Sequence, residues 1–220
     1  NCFTDCTEIY DKPAAYGECE TNGTPTCAMR CCRADSTNPA CDGGDHFDFN
    51  EVPDDGCEFW LDPDAIYVSE SDAAADDLAG CGRGPVGTGT NHRPCKSLAV
   101  GLSEASAAGR SKVLVADGVY EETVTLVNGI SLLGGHRADT WERRLAATMT
   151  IVRGNDTGTH KKTLIADGIH TATVVEGFVL YGMTNFTPGG NSYTVWIRNS
   201  TAALTLRHNT LYGGYGATGV

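Results

Sequence analysis

No stretch of the 220 residues approaches the ~18 consecutive apolar residues that a membrane-spanning helix needs, so no membrane insertion is expected. Basic residues are scarce too: 16 Lys and Arg stand against 28 Asp and Glu, a formal net charge of −12. Nucleic acid and anionic membranes both require a cationic face, and this balance excludes them as expected partners. The G-x-S-x-G elbow, the P-loop and the dinucleotide fingerprint are all missing, which leaves nucleophile-elbow hydrolysis and nucleotide binding without sequence support. The six histidines (His46, His92, His136, His160, His170 and His208) are scattered and never paired at metal-ligand spacing. With 40% hydrophobic residues the chain is nevertheless too apolar for a disordered one.

Cysteine and acid, by contrast, are concentrated at one end. Before residue 80 there are 19 acidic and 3 basic residues; after it there are 9 and 13. Eight of the ten cysteines (Cys2, Cys6, Cys19, Cys27, Cys31, Cys32, Cys41 and Cys57) fall in the first 57 residues, where long apolar periodic segments are missing. A segment this short and polar buries too little surface to fold unaided and points to disulfide cross-links. Zinc is the competing reading, but C-x3-C and C-x3-C-C spacings lack the paired C-x2-C knuckles of zinc modules. Which of the eight pair with which is not legible. Cys81 and Cys95 form a separate expected pair around a Gly-rich loop, a bridge contributing ~3 kcal/mol in the chain-entropy model. So many pairable cysteines imply an oxidising compartment, hence a secreted protein at an extracellular surface. The chain starts at Asn1 with no visible signal peptide, and so reads as processed or excised from something longer.

The expected division is an acidic disulfide-rich module over 1–64 and a second domain over 65–220. In the latter, PCKSLAVGLSEASAAGR has Leu98, Leu102 and Ala105 at helical spacing, proline at its start and Gly109 at its end, which predicts one helix over about 95–109. Everything after it reads as strand: Val113 to Ala116, Thr123 to Val127, Ile130 to Leu133, Thr148 to Val152, Thr163 to Ile165, Thr173 to Tyr181, Tyr193 to Ile197 and Leu204 to Tyr212. No crossover helices separate them. Self-similarity decides the architecture, because Thr163–Gly182 matches Thr194–Gly213 at an offset of 31. Leu164 aligns with Val195, Ile165 with Trp196, Leu180 with Leu211 and Tyr181 with Tyr212. A weaker copy upstream, VADGVYEETVTLVNGISLLGG, is spaced more widely and leaves room for the insertion HRADTWERRLAA. Short strands repeating every 20 to 30 residues without helices predict an all-β fold, a right-handed parallel β-helix with coils over about 112–220. The helix before them caps its interior. The last strand is followed by no second helix or charged cap, so either a longer solenoid was cut or a neighbouring chain supplies the cover.

The runs IYVSESD, GPVGTGTNHRPCKSLAVGLSEA, VLVADGVYEETVTLVNGISLLGGH, DTWERR and ATMTIVRG resemble, in order and spacing, the entrance of secreted bacterial β-helix proteins of the pectin-lyase-like superfamily, over Ile66 to about Gly182. The segment DFNEVPDDGCEF (Asp48 to Phe59) is similar to cysteine-rich modules that precede such helices in large bacterial surface proteins. The superfamily's hydrolases carry paired aspartates, a Gly-His-Gly turn and an Arg-x-Lys segment, and this sequence has none of those strings.

Four groups of residues are candidates for chemistry. Asp48, Asn50, Asp55 and Glu58, with Gly56 permitting a turn, offer hard oxygen ligands for Ca2+, although D-x-N-x-V departs from an EF-hand and a solvated acidic loop is the plainer alternative. Glu176 and Arg207 occupy equivalent positions one repeat apart and predict a stacked surface ion pair worth under ~1 kcal/mol. Trp60, Trp141, Trp196, Tyr181, Tyr193, Tyr212 and Tyr215 are candidates for a sugar-stacking strip or for plain packing. Asn22, Asn155, Asn185 and Asn199 begin N-x-(S/T) sequons and are candidate glycan sites. No catalytic residue is assigned. The expected function is an extracellular structural or adhesive β-helix that associates end to end, as a homo-oligomer or surface fibre; the alternative is a polysaccharide lyase or carbohydrate-binding module whose active coils lie beyond the C-terminus.

Overall fold

A computed structural model describes residues 6, 12, 14–20, 25–39 and 41–219. The chain divides into two compact units, Asn1–Asp62 and Pro63–Val220.

The first unit contains two short antiparallel pairs: β1 (Ala15–Glu20) with β2 (Thr26–Cys31), and β3 (His46–Phe47) with β4 (Phe59–Trp60). Disulfides join Cys6 to Cys27, Cys31 to Cys57 and Cys32 to Cys41. Cys19 is disulfide-bonded as well, whereas Cys2 lies outside the described residues. These links stand in for the core the segment cannot build. Among the described residues the buried apolar side chains here are Ala15, Phe47, Phe59 and the cysteines Cys6, Cys32 and Cys57; half-buried Phe49 packs on Phe59 with ring centroids 4.5 Å apart, and the Arg33 guanidinium lies 3.8 Å above Phe47.

The second unit is mainly β. Its helix α1 (Leu98–Ala108) starts at Ser97, whose hydroxyl accepts from Val100 N, while the Glu122 carboxylate accepts from Leu98 N and Ala99 N. It stops at Gly109, which takes a left-handed conformation. The helix is shorter than the expected 95–109 because Cys95 is already committed: its N–H donates to Tyr67 O and its carbonyl accepts from Ser69 N. Leu98, Leu102 and Ala105 are buried, and Gly101 lets the helix approach so closely that a Cβ there would lie 2.4 Å from Val68. Cys81 and Cys95, both buried, are joined by a disulfide.

Three parallel sheets make up the rest. The first contains β5 (Ala65–Val68), β6 (Lys112–Ala116), β9 (Ser131–His136), β12 (Thr173–Glu176) and β15 (Leu204–Arg207). The second contains β7 (Gly118–Glu121), β10 (Thr150–Arg153), β13 (Phe178–Tyr181) and β16 (Thr210–Tyr212). The third contains β8 (Val124–Thr125), β11 (Lys161–Asp167) and β14 (Ser192–Arg198). From β6 onward the chain visits the first, second and third sheets in that fixed order, again and again. Stacked parallel sheets of this kind are compatible with the β-helix that the repeat predicts.

The offset of 31 is the register itself: Leu164 pairs with Val195, Ile165 with Trp196, Leu180 with Leu211 and Tyr181 with Tyr212. Alternate residues point inward, so Val113, Leu132 and Val175 from the first sheet meet Val152 and Leu180 from the second and Val124 and Leu164 from the third in one core. The run Thr173 to Tyr181 is two strands, not one, with Gly177 at φ +83 between them; a Cβ at Gly177 would lie 2.8 Å from Gly134 O. One repeat later, His208 takes the same conformation at φ +51 and splits Leu204 to Tyr212 in the same way.

Candidate functional site

Outward-facing residues of the first sheet form a ladder, Tyr67–Leu114–Leu133–Glu176–Arg207, each in register with the next. Leu132 to Val175 spans 43 residues, 12 more than the regular 31, and the excess is the insertion that the spacing predicts. It folds over the ladder. Trp141, buried and at φ +59, packs edge-on against Tyr67 with ring centroids 5.0 Å apart. Two residues on, Arg143 donates from Nε to Gly134 O at 3.0 Å and from Nη2 to Glu176 Oε2 at 2.9 Å.

Glu176 is therefore no surface residue: its side chain is only 5% exposed, and three donors converge on it. Besides Arg143, Arg207 Nε lies 2.9 Å from Oε1 and His208 Nδ1 lies 2.7 Å from the same oxygen. Burial alone pushes this carboxyl up, but the hydrogen bonds from His208, Arg143 and Arg207 outweigh it and hold the pKa at about 2. The expected exposed pair is corrected to a buried, fully donated carboxylate. Such a group is locked in its charged form near neutral pH and is poorly suited to accept or give a proton in catalysis. His136, the first residue of the insertion, is buried, with a pKa lowered to about 4 by burial and then by Arg143; its Nδ1 is buried without a hydrogen-bond partner.

Carboxylate-to-arginine contacts recur on all three sheets with one polarity. Glu121 on β7 meets Arg153 on β10 at 3.2 Å, Asp167 on β11 meets Arg198 on β14 at 2.6 Å, and Glu176 on β12 meets Arg207 on β15 at 2.9 Å. The acid always precedes the arginine along the stack. On the second sheet the ladder continues Glu121–Arg153–Tyr181–Tyr212, beside a shallow groove of about 450 Å³ lined by Arg153, Tyr181 and Met183 among others.

The aromatic candidates do not line up as a sugar platform. Tyr181 and Tyr212 lie face to face, 4.7 Å apart with 10° between their planes, so each covers one face of the other. Trp196 is flanked by Lys162 and Arg198, 5.4 and 5.0 Å from its ring. Trp141 is buried, and Trp60 belongs to the other unit. Tyr215 is exposed, whereas the Tyr193 hydroxyl accepts from the Asn191 amide.

In the acidic loop, Glu58 Oε1 accepts from the backbone of Phe49 and Asn50, at 3.0 and 3.2 Å, and Asn50 Nδ2 donates to Asp55 at 2.9 Å. Asp48 Oδ1 is buried without a partner. Among the described residues no three His, Cys, Asp or Glu side chains are grouped to hold a metal ion.

The sequons separate cleanly. Asn155 and Asn199 are exposed, with Asn155 Nδ2 donating to Glu121 O and Asn199 Nδ2 to Asp167 Oδ1. Asn185 is 2% exposed and donates to Thr159 O and Asn191 O, so the folded chain offers it to no glycan. Asn22 lies outside the described residues.

No protein-family model, curated protein or solved structure matches this chain.

Proposed function

We propose that the chain is a secreted, disulfide-stapled, right-handed parallel β-helix, similar to the pectin-lyase-like superfamily, that serves as a structural or adhesive element of an extracellular surface and associates end to end. The observation that supports this reading is the use of its outward polar side chains. The acidic and basic rungs on all three sheets are turned on one another along the stack, as in a scaffold whose side chains serve length and rigidity. Right-handedness follows from the strong preference of crossovers between parallel strands. The disulfides fit an oxidising, extracellular setting.

Light scattering and electron microscopy on the oxidised protein at rising concentration test the reading. Growth of linear oligomers is expected, and a monodisperse monomer throughout would overturn it. Incubation with uronate polymers is the control: unsaturated products absorbing in the ultraviolet would replace the structural reading with that of a polysaccharide lyase.

A further inference from the structure

The insertion over residues 136–147 is tied to the sheets at few points. Of residues 137–147 only Trp141 is buried, and its φ of +59 is a left-handed conformation that a bulky side chain adopts under strain. Arg143 anchors the segment through Gly134 O and Glu176, Ala138 N donates to the Asp117 carboxylate, and Leu145 leans on Gly135 and Gly177 while staying 41% exposed. The other backbone hydrogen bonds of the segment close on itself or on Gly135 at its base. At that base His136 is 5% exposed, and its Nδ1 has no hydrogen-bond partner. It faces Arg143 across an isolated antiparallel bridge, and its ring centroid lies 6.4 Å from that of Trp141.

The surroundings offer a protonated His136 no counter-ion. Within the insertion Arg143 is a like charge, whereas Arg137 pairs with Asp139 and Arg144 with Glu142. The carbonyls of Val115 on β6 and Leu133 on β9 favour the charged ring, but burial and Arg143 outweigh them. The carboxylate of Asp117, after β6, is used on Ala138 N, and that of Glu176 on β12 is used on Arg143, Arg207 and His208. We infer that the insertion is an acid-released strap: protonation of His136 sets a second cation beside Arg143, and the strap lifts at Trp141 to hydrate both while the parallel sheets stay paired. Release strands no charge, because Glu176 keeps Arg207 and His208 when Arg143 moves into water. It also frees Trp141 from its left-handed conformation and uncovers Tyr67, the first rung of the apolar ladder Tyr67–Leu114–Leu133. With His136 at about 4 when closed and 6.5 when open, the opening constant rises by up to about 300-fold as the pH falls through that window. Glu176, at about 2, keeps its charge throughout it.

Amide hydrogen exchange of the full-length oxidised protein from pH 7 to 3, corrected for the intrinsic exchange rate, tests the strap. Protection over residues 137–147 is expected to fall by up to about tenfold per pH unit between 6.5 and 4 and to recover when the pH is raised, while β9 and β12 keep theirs. Acrylamide should gain access to Trp141 over the same range. His136→Gln has no proton to gain and should hold its protection down to pH 3. A nuclear magnetic resonance titration of the His136 ring in the unaltered protein stands even where that substitution unfolds the chain, and its proton uptake should track the exchange curve. Protection that is unchanged while His136 takes up its proton, or a ring that takes up none by pH 3, overturns the inference. So does a pH dependence that survives in His136→Gln. Loss of β9 and β12 protection in the same step overturns it as well, because that is unfolding of the sheets and not release of a strap.

Discussion

Replacing Glu176 by glutamine keeps the side chain's shape and removes the one charge that Arg143, Arg207 and His208 surround. The carboxyl sits at about 2 in the folded chain against an ordinary 4.5, a displacement corresponding to about 3 kcal/mol of stability. For a unit of this size that amounts to a fall in Tm of roughly 6–12 °C. The sign is fixed by linkage. With its pKa depressed on folding, Glu176 gives its full contribution above pH 4.5 and loses it as the pH falls towards 2. His136 acts in the same direction, since a buried neutral imidazole lowered from 6.5 to about 4 withdraws its contribution as the pH falls through that window. Both proteins share the His136 loss, so their difference isolates Glu176. Urea unfolding of the native protein and Glu176→Gln, followed by fluorescence of the buried Trp141 at pH 7, 5, 3 and 2, gives that difference directly. It should be about 3 kcal/mol at pH 7 and close to zero at pH 2. A gap under ~1 kcal/mol at pH 7, or one that persists unchanged to pH 2, would refute the buried clasp.

Other changes probe the remaining parts of the fold. Cys81→Ser/Cys95→Ser opens a loop with a sequence separation of 14 and should cost about 3 kcal/mol, read as a lower midpoint in denaturant. Gly177→Ala combines a disallowed φ with a clash against Gly134 O and should destabilise by about 2 kcal/mol or more, whereas Gly168→Ala, with open space around it, should cost less in the same calorimetric comparison. Trp141→Ala should cost about 3–5 kcal/mol and free the insertion, seen as new protease cleavage between 137 and 147. If the chain is made in a glycosylating host, peptide mapping should find glycan at Asn155 or Asn199 and none at Asn185.

The repeat was legible because parallel stacking puts like residues on like: Tyr181 on Tyr212 and Leu180 on Leu211 are a sequence alignment and a hydrogen-bonded register at once. The corners were less so. Gly177 announces a left-handed residue, but His208 and Asn199 hold the same conformation without the glycine that would mark it. β7 lies inside DGVYEE, whose Asp-Gly has the character of a turn, so the pattern does not announce the first member of the second sheet. Glu176 shows the larger difficulty. The repeat pairs it with Arg207, but its burial depends on Arg143 and Trp141, which belong to an insertion outside the repeat and carry no periodicity. Pairing within the repeat is periodic and can be read; packing of a non-repeated segment onto it is tertiary and cannot.

The central claim is that equivalent residues of successive repeats, 28 apart between β10 and β13 and 31 apart in the last two repeats, lie on neighbouring parallel strands. Cross-strand nuclear Overhauser effects in isotope-labelled protein test it most directly. The account predicts contacts from Leu180 to Val152 on one side and Leu211 on the other, from Leu164 to Val195 and from Val175 to Leu206, without the short Hα–Hα contacts of antiparallel pairing. Strong Hα–Hα contacts between successive strands such as β12 and β13, in place of that ladder, would contradict it.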